Sequence, residues 1–144
     1  MKKELLQSII ENALYEDITD PEGKIPGGDH SSLASIPLEA ESVAIMKAKQ
    51  PGVIAGIEIG EMVFKSVDRS LNIHKYKEDG DRVDSGTEVM QIQGSARSIL
   101  RAERVALNFM QRMSGTASLT RKFVDAVKGT GTVILDTRKT TPNL

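Results

Sequence analysis

The feature that most constrains the fold is a long helical segment in the last third of the chain. Gly94-Ser95 is a plausible entry and N-cap for a helix that begins near Ala96 and could run toward Lys128. A single straight helix of that length is unusual in a small domain. We therefore predict a break or kink at Ser114-Gly115. The predicted apolar face of the helix consists of Leu100, Leu107, Met110 and Ala117.

The residues before this helix have the pattern of an α+β unit. Apolar residues between Leu5 and Leu14 recur at helical spacing, which predicts a first helix that ends near Glu16-Asp17, two adjacent acids expected in solvent. The proline- and glycine-rich residues 21–29 predict a loop. Short β-type runs predict strands at 42–49, 71–76 and 88–93. Residues 53–55 are short and apolar, and a second helix is predicted after Gly56.

A polar stripe follows one side of the long helix. Its members recur at intervals of three and four residues, which places them on one line: Arg97, Arg101, Arg104, Asn108, Gln111 and Gly115. A solvated helix face, with Glu103 screening the charge, accounts for such a stripe. The alternative is that Arg104 and its neighbours face an anionic ligand or another subunit, and the spacing alone does not decide between the two.

The last residues combine a predicted strand, Val133 to Leu135, with the polar run Asp136-Thr137-Arg138-Lys139. In parallel α/β folds, ligands bind at the carboxyl ends of strands. Arginine offers a planar fork and lysine a point charge, which suits carboxylate and phosphate groups. A charged loop remains the alternative. One helix and one strand cannot bury their own faces, so we predict two domains, 1–113 and 114–144, the second needing more structure to pack against.

Composition and charge exclude several classes of protein. The net charge of -1 argues against a general nucleic-acid binder, and 3% aromatic residues argue against base stacking. No apolar run is long enough to span a bilayer. The chain has no cysteine, which excludes disulfides and thiolate metal sites. The expectation is a soluble cytoplasmic protein without nucleic-acid or membrane partners.

The remaining polar candidates carry little chemistry on their own. His30 and His74 are the only histidines, and ordinary structural or surface roles are expected for both. Residues 27–32 could form an anion-binding nest, although a polar loop fits them better. No Ser-His-Asp triad or glycine-rich P-loop is recognisable.

Two motifs together resemble a known family. Arg101-Ala102-Glu103-Arg104-Val105-Ala106-Leu107-Asn108-Phe109-Met110-Gln111-Arg112-Met113-Ser114-Gly115 and Asp136-Thr137-Arg138-Lys139-Thr140-Thr141-Pro142 resemble quinolinate phosphoribosyltransferase, also called carboxylating nicotinate-nucleotide pyrophosphorylase. Earlier segments fall in the family's order: Glu16-Asp17, Gly28-Asp29, Pro51 to Gly56 and Asp79 to Gly94. The chain departs from the family at Thr116, Ser118 and Asn143, where isoleucine, threonine and glycine are usual. The family's later segments, with a histidine-arginine pair, a further lysine and the acids near magnesium, have no counterpart here.

The resemblance implies an open-faced α/β sandwich domain followed by the first helix and strand of an α/β barrel, truncated in this chain. It implies phosphoribosyl transfer from phosphoribosyl pyrophosphate to quinolinate with decarboxylation, giving nicotinate mononucleotide in NAD synthesis. Magnesium would be the cofactor, held by residues this chain lacks, and the segment alone is expected to be inactive. The resemblance also implies a homodimer or a dimer-based oligomer.

Residue by residue, the resemblance assigns Arg104 to a quinolinate carboxylate in the neighbouring subunit's site. Thr137, Arg138 and Lys139 would line the substrate site, and Arg104 and Lys139 would be the catalytic residues. A paralogue that acts on another pyridine or anionic substrate, such as the molybdenum-associated homologues, is the first alternative. The second is a lipoyl- or biotinyl-like module, suggested by the hairpin-like alternation of turns and short strands in residues 79–94, although no modifiable lysine is present at the turn.

Overall fold

The structure of the chain, a computed structural model, describes residues 3–19, 29–137 and 139. The helices are α1 (Lys3–Ile18), α2 (His30–Ser35), α3 (Ile57–Val67) and α4 (Ala96–Ala126). The strands are β1 (Glu41–Lys47), β2 (Gly52–Val53), β3 (Asn72–Lys75), β4 (Arg82–Val83) and β5 (Glu88–Ser95). Within the described ranges, no helix is both long and apolar enough to cross a bilayer.

An antiparallel sheet of β1, β5 and β3, in that order, has one covered face and one open face. On the covered face, Met90 and Ile92 of β5 are buried. On the open face, Val43 and Ile45 of β1 lie opposite Gln93 and Gln91, and both apolar side chains are about half exposed. This arrangement confirms the predicted open-faced α/β sandwich. β2 and β4 form a separate two-stranded ribbon.

Helices α1, α3 and α4 supply most of the rest of the core. Phe64 of α3 and Ile10 of α1 are fully buried within one cluster with the sheet residues. Gly56 is the N-cap of α3, and its φ of 91° is in the left-handed region that favours glycine. A Cβ there would lie 2.8 Å from the Met113 sulfur, so the glycine also permits α4 to approach closely.

Helix α4 corrects the sequence prediction in two respects. It runs without interruption from Ala96 to Ala126, so no break occurs at Ser114-Gly115. The predicted apolar face is wrong for Leu100, which is 42% exposed, and right for Met110, which is buried. The residues that bury the helix are Ile99, Ala102, Val105, Ala106 and Met110. The small alanines let the helix backbone lie close to the core, which a search for large apolar residues overlooks.

The start of α4 was predicted correctly. The Ser95 hydroxyl accepts a hydrogen bond from the Ser98 N–H at 3.4 Å and caps the helix. The strands predicted at 42–49, 71–76 and 88–93 are confirmed with ends shifted by a few residues, while α2 was not predicted. Most of the predicted loop, residues 21–28, lies outside the described residues.

The segment after α4 does not form the predicted strand. Residues 132–137 have no strand pairing, and Val133 and Leu135 are 73% and 81% exposed. A β-strand needs a neighbouring strand to receive its hydrogen bonds. Within the described part of the chain, none of the strands pairs with this segment.

Candidate functional site

The arginines of the polar stripe on α4 make different contacts. Arg97 is fixed at the end of α2: its Nε donates to the Ile36 carbonyl at 2.8 Å and its Nη2 to the Leu33 carbonyl at 3.1 Å. These carbonyls lie at the carboxyl end of α2, where the last C=O groups of a helix have no partner within the helix and a cation is favourable. Arg97 therefore has a structural role. Arg101, by contrast, is exposed and borders a small cavity between α1 and α3.

Arg104, another arginine of the polar stripe, is highly exposed and also forms an ion pair with an aspartate. Its side chain is 74% exposed, and its Nη1 lies 3.3 Å from Oδ1 of Asp17, the second-last residue of α1. The Asp17 side chain is only 19% exposed. The sequence predicted that Glu16 and Asp17 would both lie in solvent, which is correct for Glu16 and wrong for Asp17. The error arises because the ion-pair partner lies 87 residues away in the chain.

A second carboxylate, Asp29, lies within the electrostatic reach of Arg104. Asp29 is the N-cap of α2 and accepts hydrogen bonds from the Ser32 hydroxyl and, at 3.1 Å, from the Ser32 N–H. The hydrogen bond from the Ser32 hydroxyl does most to lower the pKa of Asp29, and the positive charge of Arg104 lowers it further. An aspartate directly before a short polar run is an N-cap signal that could have predicted α2.

The other residues predicted for the site lie on the segment after α4. Thr137 and Lys139 are exposed, and the Thr137 Oγ1 accepts a hydrogen bond from the Lys139 N–H at 3.3 Å. Arg138 lies outside the described residues. Among the residues that are described, no hydrogen bond or ion pair joins Thr137 or Lys139 to Arg104. One copy of this chain therefore does not connect the two halves of the predicted site through direct contacts.

A groove of about 830 Å³ lies between the second half of α4 and the segments 46–54 and 82–84. Lys49 and Lys122 contribute positive charge to it, and Arg82 is paired with Asp125 at 2.8 Å near its end. Sequence inspection did not find this groove, because its two walls come from distant segments and share no motif.

Two serine hydroxyls hold the groove's walls together. The Val53 N–H donates to the Ser118 Oγ at 2.8 Å, and the Ala55 N–H donates to the Ser114 Oγ at 3.0 Å. Each hydroxyl also lies within hydrogen-bond distance of the carbonyl of the same residue. A Cβ on Gly52 would lie 2.6 Å from the Ser118 Oγ, so this glycine is required for the close approach. We call Ser114 and Ser118 the serine clamp.

The histidines and acidic residues that the structure describes do not gather at one place. Among them, no group of three or more histidine, cysteine, aspartate or glutamate side chains is placed to hold a metal ion. His30 and His74 are exposed, and the His74 ring packs edge-on against Tyr76 with the ring centroids 4.7 Å apart.

The arginines of the polar stripe lie in a region that matches a known family, and the match ends at Ser114 of the serine clamp. The family model described as the quinolinate phosphoribosyl transferase N-terminal domain matches residues 29–114. The chain belongs to this family. The match covers the sheet, α3 and the first part of α4, including Arg104, and it favours the transferase over a lipoyl- or biotinyl-like module.

Relatives of the quinolinate phosphoribosyl transferase family extend the similarity to nearly the whole chain. A mitochondrial quinolinate phosphoribosyltransferase [decarboxylating] from Nicotiana tabacum is 47% identical over 139 residues, which cover 96% of this chain and 37% of the relative. A nicotinate-nucleotide pyrophosphorylase [carboxylating] from Mycobacterium leprae is 38% identical, covering 94% of this chain and 46% of the relative.

The fold agrees with a solved structure of the same family. The crystal structure of NadC from Streptococcus pyogenes aligns with a TM-score of 0.89 and 36% identity, covering 99% of this chain and 48% of that protein. The chain thus spans less than half the length of these relatives.

Proposed function

We propose that this chain is the amino-terminal part of an enzyme that transfers a phosphoribosyl group from phosphoribosyl pyrophosphate to quinolinate. The products would be nicotinate mononucleotide, pyrophosphate and carbon dioxide, in NAD biosynthesis. The observation that carries the proposal is the match of the domain containing Arg104 to the quinolinate phosphoribosyl transferase family. The names of the tobacco and Mycobacterium leprae relatives support the same reaction.

The chemistry of quinolinate suits the exposed arginine. Quinolinate is a dianion, so its binding requires fixed cations and directional hydrogen-bond donors. Arg104 has one Nη held by Asp17 and is otherwise 74% exposed, which leaves N–H groups for a carboxylate. Thr137 and Lys139 would contribute a hydroxyl and an ammonium group from the segment after α4, with Arg138 beside them.

The proposed reaction needs no nucleophilic side chain. The pyridine nitrogen of quinolinate attacks the anomeric carbon of the ribose, and the bond from that carbon to the pyrophosphate oxygen breaks. The carboxylate next to the ring nitrogen then leaves as carbon dioxide, its bonding electrons stay on the ring carbon, and that carbon takes up a proton. Cationic side chains would stabilise the negative charge that gathers on the leaving pyrophosphate. Magnesium would assist, and because no group of three or more metal-ligating side chains occurs among the described residues, we assign its ligands to the carboxyl-terminal part of the longer protein.

The proposed enzyme is a homodimer, or an oligomer of dimers, in which Arg104 serves the partner's site. The support is that 74% of the Arg104 side chain faces solvent in this chain, which leaves the guanidinium group accessible to a partner subunit. We place the domain boundary near residue 113, next to the end of the family match. We place the enzyme in the cytoplasm, a reducing compartment with which a chain without cysteine is compatible.

Turnover of quinolinate by the full-length protein that contains this segment tests the proposal. Quinolinate labelled in the carboxylate next to the nitrogen should release labelled carbon dioxide when phosphoribosyl pyrophosphate and magnesium are supplied. Nicotinate mononucleotide should appear in equal amount. The 144-residue segment alone is the matched control and should give no turnover. Turnover of another pyridine or anionic base without carbon dioxide release from quinolinate would favour the paralogue and overturn the proposal.

A further inference from the structure

Asp17 occupies a position that is electrostatically unfavourable for an acid. It lies in the last turn of α1, which has no basic residue, next to Glu16. The carboxyl end of a helix carries partial negative charge, so a carboxylate there is repelled by the helix dipole. The Asp17 side chain is also 81% removed from solvent, since 19% of it is exposed. A largely buried carboxylate at this place needs a compensating cation.

Arg104 is the cation that compensates Asp17, and the two side chains differ sharply in exposure. Arg104 Nη1 lies 3.3 Å from Asp17 Oδ1, while 74% of the arginine side chain faces solvent. The Asp17 carboxylate therefore holds one Nη of the guanidinium group, while the exposure of the arginine leaves its remaining N–H groups accessible to a ligand. Such an anchor restricts a side chain that would otherwise lose much rotamer freedom when it binds a ligand.

We propose that Asp17 is a positioning residue for Arg104, holding the guanidinium so that its free edge receives a quinolinate carboxylate. The inference rests on the proposed function for the identity of the ligand. The contact between Asp17 and Arg104 does not depend on it. Asp29 also lies within the electrostatic reach of Arg104. As the N-cap of α2, however, its carboxylate already accepts hydrogen bonds from Ser32. Asp17 is therefore the carboxylate that directly orients the guanidinium.

Steady-state kinetics of full-length Asp17→Asn and Asp17→Ala test the proposal. Loss of a charge-assisted hydrogen bond to Arg104 should raise KM for quinolinate about tenfold in Asp17→Ala and less in Asp17→Asn, which keeps an acceptor oxygen. KM for phosphoribosyl pyrophosphate should change by less than about twofold, because that ligand would not use the Arg104 edge. Glu16→Gln is the matched control, since Glu16 is exposed, and it should leave both KM values unchanged.

The inference fails if Asp17→Ala leaves the quinolinate KM unchanged while the protein remains folded. It fails also if that KM falls, because Asp17 would then merely neutralise Arg104. In an Arg104→Lys background, where the planar fork is absent, Asp17→Ala should change the KM by less than about twofold. A further tenfold effect in that background would show that Asp17 acts through another group.

Arginine side-chain NMR of the unliganded full-length protein separates this inference from the proposed function. The Arg104 guanidinium signal, identified by its loss in Arg104→Lys, should be ordered in the wild type and in Glu16→Gln and broadened in Asp17→Ala. If the wild type neither binds nor turns over quinolinate but shows this pattern, the positioning role is supported and the proposed function fails. An Arg104 signal equally ordered in Asp17→Ala overturns the inference whatever the substrate proves to be.

Discussion

Asp68, the C-cap of α3, accepts three hydrogen bonds, one of which comes from Ser98 at the start of α4. Its carboxylate accepts from the Ser70 N–H at 2.9 Å, the Ser70 hydroxyl at 2.6 Å and the Ser98 hydroxyl at 2.8 Å. The Ser70 hydroxyl contributes most to lowering the pKa of Asp68, and Lys65 adds a smaller electrostatic effect. A single carboxylate thus links two core helices, and its charge state should affect the stability of the domain.

We expect Asp68→Asn to lower the free energy of unfolding by about 1 kcal/mol at pH 7. Because the folded pKa of Asp68 is lowered, its stabilisation is complete above the unfolded pKa of about 4 and is lost as the pH falls through the folded pKa. Urea unfolding of the wild type and Asp68→Asn should therefore give stabilities that converge as the pH falls from about 4 toward 2. Asp84→Asn, at an exposed acid in a turn, is the control. A difference that stays constant with pH would contradict this role.

The elements of the fold were predictable to different degrees, for physical reasons visible in α4. Ser95 caps the helix locally, so sequence inspection found its start, and Asp29 could have revealed α2 in the same way. The hydrogen bond that the Ser114 hydroxyl accepts comes from Ala55, 59 residues away, and a contact at that separation leaves no local signal in the sequence. The ion pair between Arg104 and Asp17 likewise joins two helices whose paired residues are 87 positions apart in the sequence. Local signals predict elements, but the candidate site is assembled by contacts between distant segments.

The serine clamp should contribute to holding α4 against the ribbon of β2 and β4. Ser118→Ala removes the acceptor of the Val53 N–H, and Val53 is buried, so we expect a loss of about 1–2 kcal/mol in the free energy of unfolding. Ser118→Thr retains the hydroxyl and should stay within about 0.5 kcal/mol of the wild type. Urea unfolding measures the first effect, and hydrogen exchange should show faster exchange at Val53 in the alanine variant alone. Equal stability of all three proteins would mean that the clamp is not a stabilising contact.

Among the described residues, two apolar surfaces lie uncovered. One is the open face of the sheet, with Val43 and Ile45, and the other is the second half of α4, where Leu119 and Phe123 are 57% and 56% exposed. Leu119 and Phe123 are four residues apart and share one face of the helix. Contiguous exposed apolar surface usually marks a contact with other protein. The exposed surfaces agree with the proposal that the active enzyme requires both a carboxyl-terminal part and a partner subunit.

Subunit mixing tests whether Arg104 and Lys139 act in different chains' sites. Full-length Arg104→Ala and Lys139→Ala should each lose most activity, because each removes a cation facing a desolvated anion. If each site combines one chain's Arg104 with its partner's Lys139, half of the dimers in an equal, fully exchanged mixture are hybrids. Each hybrid has one intact and one doubly damaged site, so about a quarter of all sites should recover in a two-fold dimer. If both residues serve one chain's site, every site carries a lesion and mixing restores nothing. Verified subunit exchange without recovery would therefore place Arg104 in its own chain's site or leave it a purely structural partner of Asp17.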